Sequence, residues 1–161
     1  MSTDHVLLIL ILTSALGSGL LAGVFYAFST FVMRALARLP AREGIAAMQS
    51  INIAVINPAF LGVFLGTALI CAATMVLAIV QWESPRSIYL IVGALLYIVG
   101  TFGVTMFGNV PLNNVLAKLR GDDPNASTVW TDYVRRWTIW NHVRTVAAVV
   151  AMILFIIAIG R

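Results

Sequence analysis

Charged residues divide the chain into four long apolar stretches. No Asp, Glu, Lys or Arg occurs over residues 5–33, 44–82, 87–117 or 145–160. The hydrocarbon core of a bilayer is about 30 Å thick, and a helix needs roughly 20 apolar residues to cross it. Each stretch supplies one crossing. The pattern predicts an all-α membrane protein, a bundle of four transmembrane helices near residues 6–31, 59–80, 88–109 and 142–160. A single integral membrane domain, 1–161, accounts for the whole length. Pro58 suits the first turn of the second helix, where its missing N–H costs nothing. Pro85 and Pro111 are expected to break or bend the chain near the ends of spans two and three. The third span should run past Pro111 into Leu112–Leu119 before the polar turn Gly121-Asp122-Asp123-Pro124-Asn125.

The two longer connections read as ordered interfacial helices. Over residues 41–56, Ile45, Met48, Gln49, Asn52 and Ile56 share one helical face. Residues 128–141 carry Trp130, Tyr133, Trp137 and Trp140, with Ser127 or Thr128 as the expected cap. Gly17, Gly19 and Gly23 predict close helix packing in the first span. The halves also echo each other. Gly23-Val24 with Leu36-Ala37-Arg38-Leu39 recurs as Gly103-Val104 with Leu116-Ala117-Lys118-Leu119, and Asn57 answers Asn141. Two parallel two-helix repeats would produce this.

Charge sets the expected orientation. Arg34, Arg38 and Arg42 lie in the first connection, and Lys118, Arg120, Arg135, Arg136 and Arg144 in or beside the third. The other side has only Arg86 and Arg161. The positive-inside rule then puts both long connections in the cytoplasm and both termini outside, in a bacterial inner (plasma) membrane. The chain is 61% hydrophobic and 10% charged, where a soluble domain carries about a quarter charged residues. Its pI of about 9.8 reflects loops that orient the protein and touch anionic lipid, so nucleic acid is not an expected partner. Cys71, the one cysteine, reads as a small buried hydrophobe. The sequence leaves a homo-oligomer open.

Chemistry must come from the few polar residues near the helices. Tyr97, Thr101, Thr105 and Asn109 recur every four residues and stack on one helical face, followed by Asn113 and Asn114. Trp137, Trp140, Asn141 and Arg144 share one side of the fourth helix, with His142 about 100° away. An arginine buried at a membrane edge is a functional candidate by default. His142 is the one histidine outside the N-terminal tail. No span carries an acid, which argues against a proton-coupled transporter, and no metal-ligand set or phosphate loop is present. No cofactor is expected.

Five motifs then stand in order: Gly23-Val-Phe-Tyr-Ala-Phe-Ser29, Met48-Gln-Ser-Ile-Asn52, Asn57-Pro-Ala-Phe60, Asn109-Val-Pro-Leu-Asn-Asn114 and Trp137-x-x-Trp-Asn-x-x-Arg144. Together they resemble the anthrone oxygenase-like family of small four-helix membrane proteins, over nearly the whole chain. The resemblance implies a bundle with converging polar motifs, and oxidation of anthrones to anthraquinones by molecular oxygen without an evident metal or flavin. On that reading His142 is the base, and Asn109, Asn141 and Arg144 stabilise the oxyanion. Trp137, Trp140, Tyr26 and Phe25 would line a flat pocket, and Gln49, Asn52 and Asn113 would orient a small lipophilic ligand or lock the helices. Two readings stay open: a cofactor-independent oxygenase (an oxidoreductase), and a non-catalytic membrane protein or subunit holding a lipid, quinone or partner helix.

Overall fold

A computed structural model describes residues 3–161, with side chains from His5 onward. The described residues form helices and no strand. Four helices are long and apolar enough to cross a membrane: α1 (His5–Leu36), α3 (Pro58–Val80), α4 (Arg86–Ala117) and α5 (Ala126–Ile159). A shorter helix, α2 (Ala41–Ala54), lies between the first two. α1 and α4 each run 32 residues, about 48 Å at 1.5 Å per residue, so they outrun a bilayer core of about 30 Å. The predicted interfacial helix over 128–141 is not separate. It is the first part of α5, one unbroken helix of 34 residues. That helix starts at Ala126 with Asn125 as an N-cap that makes no side-chain bond, so Ser127 and Thr128 already lie inside it.

Local chemistry accounts for the ends. Asn57 caps α3 by accepting from the Phe60 N–H at 3.0 Å, while its amide donates to the Ala54 carbonyl at 2.9 Å. Pro58 opens α3, as expected. Pro111 is held inside α4 without ending it. In the 121–125 turn, Arg120 grips both carboxylate oxygens of Asp122 at 3.1 Å, which holds that carboxyl below its ordinary range.

The long helices close a ring in the order α1, α3, α4, α5, with α5 packed along both α1 and α4. Two apolar cores fill it. One sits among the four long helices, around Ile11, Phe25, Phe64, Tyr97 and Phe155. The other lies under α2, where Ile45 and Met48 pack on Met33, Leu116, Trp130 and Trp137. Gln49 ties α2 to the ring by donating to the Leu116 carbonyl in the last turn of α4 at 2.8 Å and to the Leu119 carbonyl just beyond it at 3.0 Å.

Three stretches depart from α geometry: Phe28–Val32 in α1, and Leu96–Gly103 and Thr105–Asn109 in α4, all π-helical. In an α-helix a four-residue spacing drifts about 40° per step. The wider π turn removes that drift, so Tyr97, Thr101 and Asn109 all stay buried on the inner face.

The first span's glycines behave differently from one another. A Cβ on Gly17 would run into the Thr67 side chain, and one on Gly19 would meet the Met152 sulfur at 2.9 Å. Gly23 has open space around it, so only the first two serve close packing. Gly17→Leu is therefore expected to cost about 1–3 kcal/mol by forcing α1 and α3 apart, while Gly23→Leu leaves stability nearly unchanged. Thermal unfolding of the two variants in detergent checks the contrast.

Candidate functional site

Between the two cores the packing is incomplete and leaves a pocket of about 540 Å³. This falls within the roughly 300–1,000 Å³ typical of small-molecule sites. α1 supplies Phe25 and Phe28, α2 supplies Met48, Gln49 and Asn52, and α3 supplies Phe60 and Phe64. α4 contributes Thr105, Asn109 and Asn113, and α5 contributes Trp137 and Arg144. The walls are mostly apolar and aromatic. The polar groups cluster where α4 faces α5.

Arg144 is the centre of that cluster and is only 6% exposed. Its Nε donates to Asn141 Oδ1 at 2.9 Å and its Nη1 to Thr105 Oγ1 at 3.2 Å. The guanidinium carbon sits 4.0 Å from the Phe25 ring centroid and 4.9 Å from that of Trp137, so two aromatic faces sandwich the cation. Among the described residues no carboxylate forms an ion pair with it. Asp132, the nearest acid before it on α5, is engaged by Arg135 at 2.8 Å and Arg136 at 3.4 Å. Nη2 has no hydrogen-bond partner among the described residues and is available to the pocket.

Asn141 fixes the arginine and is itself fully engaged in doing so. Its Nδ2 donates to the Phe25 carbonyl at 2.8 Å and to Ser29 Oγ at 2.7 Å, while Oδ1 takes the Arg144 proton. Thr145 Oγ1 donates to the Asn141 carbonyl at 2.6 Å, so the hydrogen of its 3.1 Å contact with Ser29 must come from Ser29. The loop of bonds has one consistent direction. Asn141 is fully buried and does not line the pocket, so it orients Arg144 and has no donor left for a ligand.

Two more asparagines stand on α4. Asn113 Oδ1 accepts from Tyr133 Oη and from Trp137 Nε1, both at 2.9 Å, and so locks α5 against α4. Asn109 Nδ2 donates to the Trp137 carbonyl at 3.1 Å, leaving its Oδ1 buried with no partner. Asn52 borders the pocket beside the Tyr133 hydroxyl.

Eight of the eleven residues singled out in the sequence thus gather here, Asn141 behind Arg144 and the others on the wall. Three do not. His142 faces outward and lines no part of the pocket. Trp140, 41% exposed, lies flat against Gly108, whose Cβ would meet its indole at 2.8 Å. Tyr26 is 61% exposed. The cause is angular. At 100° per residue His142 stands about 140° round from Trp137, and Tyr26 about 100° from Phe25. Sequence reasoning missed Phe28, Phe60 and Phe64, whose spacing does not separate a pocket wall from core, and it placed Thr105 on the polar stripe without a role in the site. Among the described residues no three His, Cys, Asp or Glu side chains gather as a metal site.

Replacing Asn141 by Leu is expected to free Arg144 and orphan the Phe25 carbonyl and Ser29 contacts, lowering stability by about 1–3 kcal/mol. Retention of an anthraquinone probe should fall with it. His142→Ala should leave probe binding within about twofold, as for surface changes remote from a site. Equilibrium binding in detergent, beside thermal unfolding, reads both variants. A loss in His142→Ala would bring that residue into the site.

No curated protein and no solved structure gives a significant match to the chain. The family model described as anthrone oxygenase matches residues 60–154. That is more than half the sequence, and it takes in α4 and most of α3 and α5 with Asn109, Asn113, Trp137 and Arg144. The match agrees with the four apolar helices and the motif order, and the chain belongs to the anthrone oxygenase family.

Proposed function

We propose that this protein binds a flat, lipophilic, anthrone-type aromatic in the pocket at Arg144 and oxidises it with molecular oxygen. The observation that carries the reading is a buried guanidinium with no carboxylate partner, held between Phe25 and Trp137 at the wall of an apolar pocket. A cation so placed stabilises negative charge on a ligand oxygen far better than it would in water. The excess of Lys and Arg in the two long connections supports a cytoplasmic position for the α2 end and the pocket beside it.

The chemistry follows from the ligand's own acidity. Loss of a proton from the methylene of an anthrone gives an aromatic anion whose charge collects on the former ketone oxygen. Arg144 Nη2 holds that oxygen, which favours the anion. The described residues on the pocket wall include no Asp, Glu, His or Lys, so the proton passes to water at the pocket mouth. The anion forms a carbon–oxygen bond to O2, and the peroxide is protonated. Loss of water, with the second methylene proton, leaves the ketone. One oxygen atom enters the product, the other leaves as water, and the methylene carbon is oxidised.

The wall's lack of a general base also supports a second reading, a non-catalytic protein that holds a quinone or lipid through the same cation. Oxygen uptake by the purified protein in liposomes, with anthrone as substrate, separates the two. Arg144→Met should lower kcat/KM by at least about 100-fold, the scale of losing one oxyanion donor. Arg144→Lys should recover only part, because a point charge cannot meet Asn141 and Thr105 together. Uptake unchanged in Arg144→Met would overturn the proposal. Arg144-dependent quinone binding without uptake by the unaltered chain would favour the binding protein.

A further inference from the structure

The orphaned oxygen of Asn109 bears on which ligands the pocket accepts. Asn109 is 1% exposed and lines the pocket, yet its Oδ1 meets no donor. The amide's orientation is fixed, because its nitrogen is committed to the Trp137 carbonyl at 3.1 Å. A buried acceptor left unsatisfied costs free energy, and such atoms in folded proteins usually mark an ion, a water or a functional contact. Arg144 presents a free donor in the same pocket, and it reaches α4 at Thr105, one turn from Asn109. The pocket is therefore bordered by two unlike polar groups, on residues that meet α4 four positions apart. One is a cationic donor, the other a neutral acceptor, and the rest of the wall is largely apolar.

Building on the pocket reading above, we propose that Asn109 is a specificity-determining residue. Its Oδ1 accepts a hydrogen bond from a hydroxyl on the ligand while a carbonyl or enolate oxygen of the same molecule rests on Arg144 Nη2. The preferred ligand is then a hydroxylated polycyclic ketone rather than a bare hydrocarbon ketone. A methyl ether at that position brings no donor, leaves Oδ1 unsatisfied and adds bulk. Discrimination of this sort is steep because a site built around a ligand hydroxyl is left with an unpaired group when the hydroxyl is missing. Asn113 is a poor candidate for the same task, since its Oδ1 already accepts two hydrogen bonds.

The test is equilibrium binding of three stable probes to the full chain in detergent: anthraquinone, 2-hydroxyanthraquinone and 2-methoxyanthraquinone. It is run below the pKa of the hydroxyl so that all three probes are neutral. The unaltered chain should bind the hydroxy compound at least about tenfold more tightly than the methoxy compound. In Asn109→Leu that preference should vanish. Equal binding of the two by the unaltered chain would overturn the role of Asn109 and leave the pocket reading intact. A preference that survives in Asn109→Leu would also overturn it. Failure of all three probes to bind would instead sink the pocket reading on which the inference stands. Binding of the hydroxy and methoxy probes by the unaltered chain remains decisive even if the variant does not fold.

Discussion

Burying a guanidinium inside a helical bundle that spans a bilayer is the constraint around which this structure is organised. An uncompensated cation there costs several kcal/mol, and the usual remedy is a carboxylate. Arg144 has none among the described residues. It is supported instead by a carboxamide, a hydroxyl and two aromatic faces. Each supporter is itself fixed. Asn141 is pinned to α1 through Phe25 and Ser29, and Thr105 donates to the Thr101 carbonyl at 2.8 Å while it accepts from the arginine. One side chain thus draws three of the four long helices to a common point.

The backbone adapts to the same demand. Ser29 lies in the π-helical stretch of α1, and Thr101, Thr105 and Asn109 lie in those of α4. A regular α-helix would carry Thr101, Thr105 and Asn109 about 80° around its axis over two steps. The wider turns keep that stripe facing α5. π-turns are rare and weaker than α-turns, and they persist where something is gained by the altered register. Here the gain is a set of hydroxyl and amide groups aligned along the one helix that bears the charge.

Much of this was legible in the residues, but not evenly. Charge-free runs gave four crossings because the bilayer's thickness leaves few alternatives. The motif order gave the family, and the spacing of Trp137, Asn141 and Arg144 put them on one face. Spacing fixes a face only to within tens of degrees, which is too coarse at its margins. His142 and Trp140 looked like members of the cluster and sit outside it, while Tyr26 differs from Phe25 by one residue and points away. Gly17 and Gly23 look alike in sequence, yet only one meets another helix, because contact depends on the neighbour's path. The fusion of residues 128–141 with the last span was hidden for a related reason. Aromatic enrichment signals an interface, and it does not say whether the helix stops there.

The polar groups also divide the work between holding the bundle and meeting a ligand. Asn141 and Gln49 commit their amide donors to the protein. Asn113 commits its acceptor to two side chains of α5. Arg144 Nη2 and Asn109 Oδ1, a donor and an acceptor, make no such commitment, and both residues line the pocket. Full satisfaction within the protein would have made the bundle more stable and the pocket inert. An unmet donor and an unmet acceptor beside a mostly apolar cavity lower the stability of the protein, and a molecule that supplies both partners restores it. The energy withheld from folding is then available for recognition.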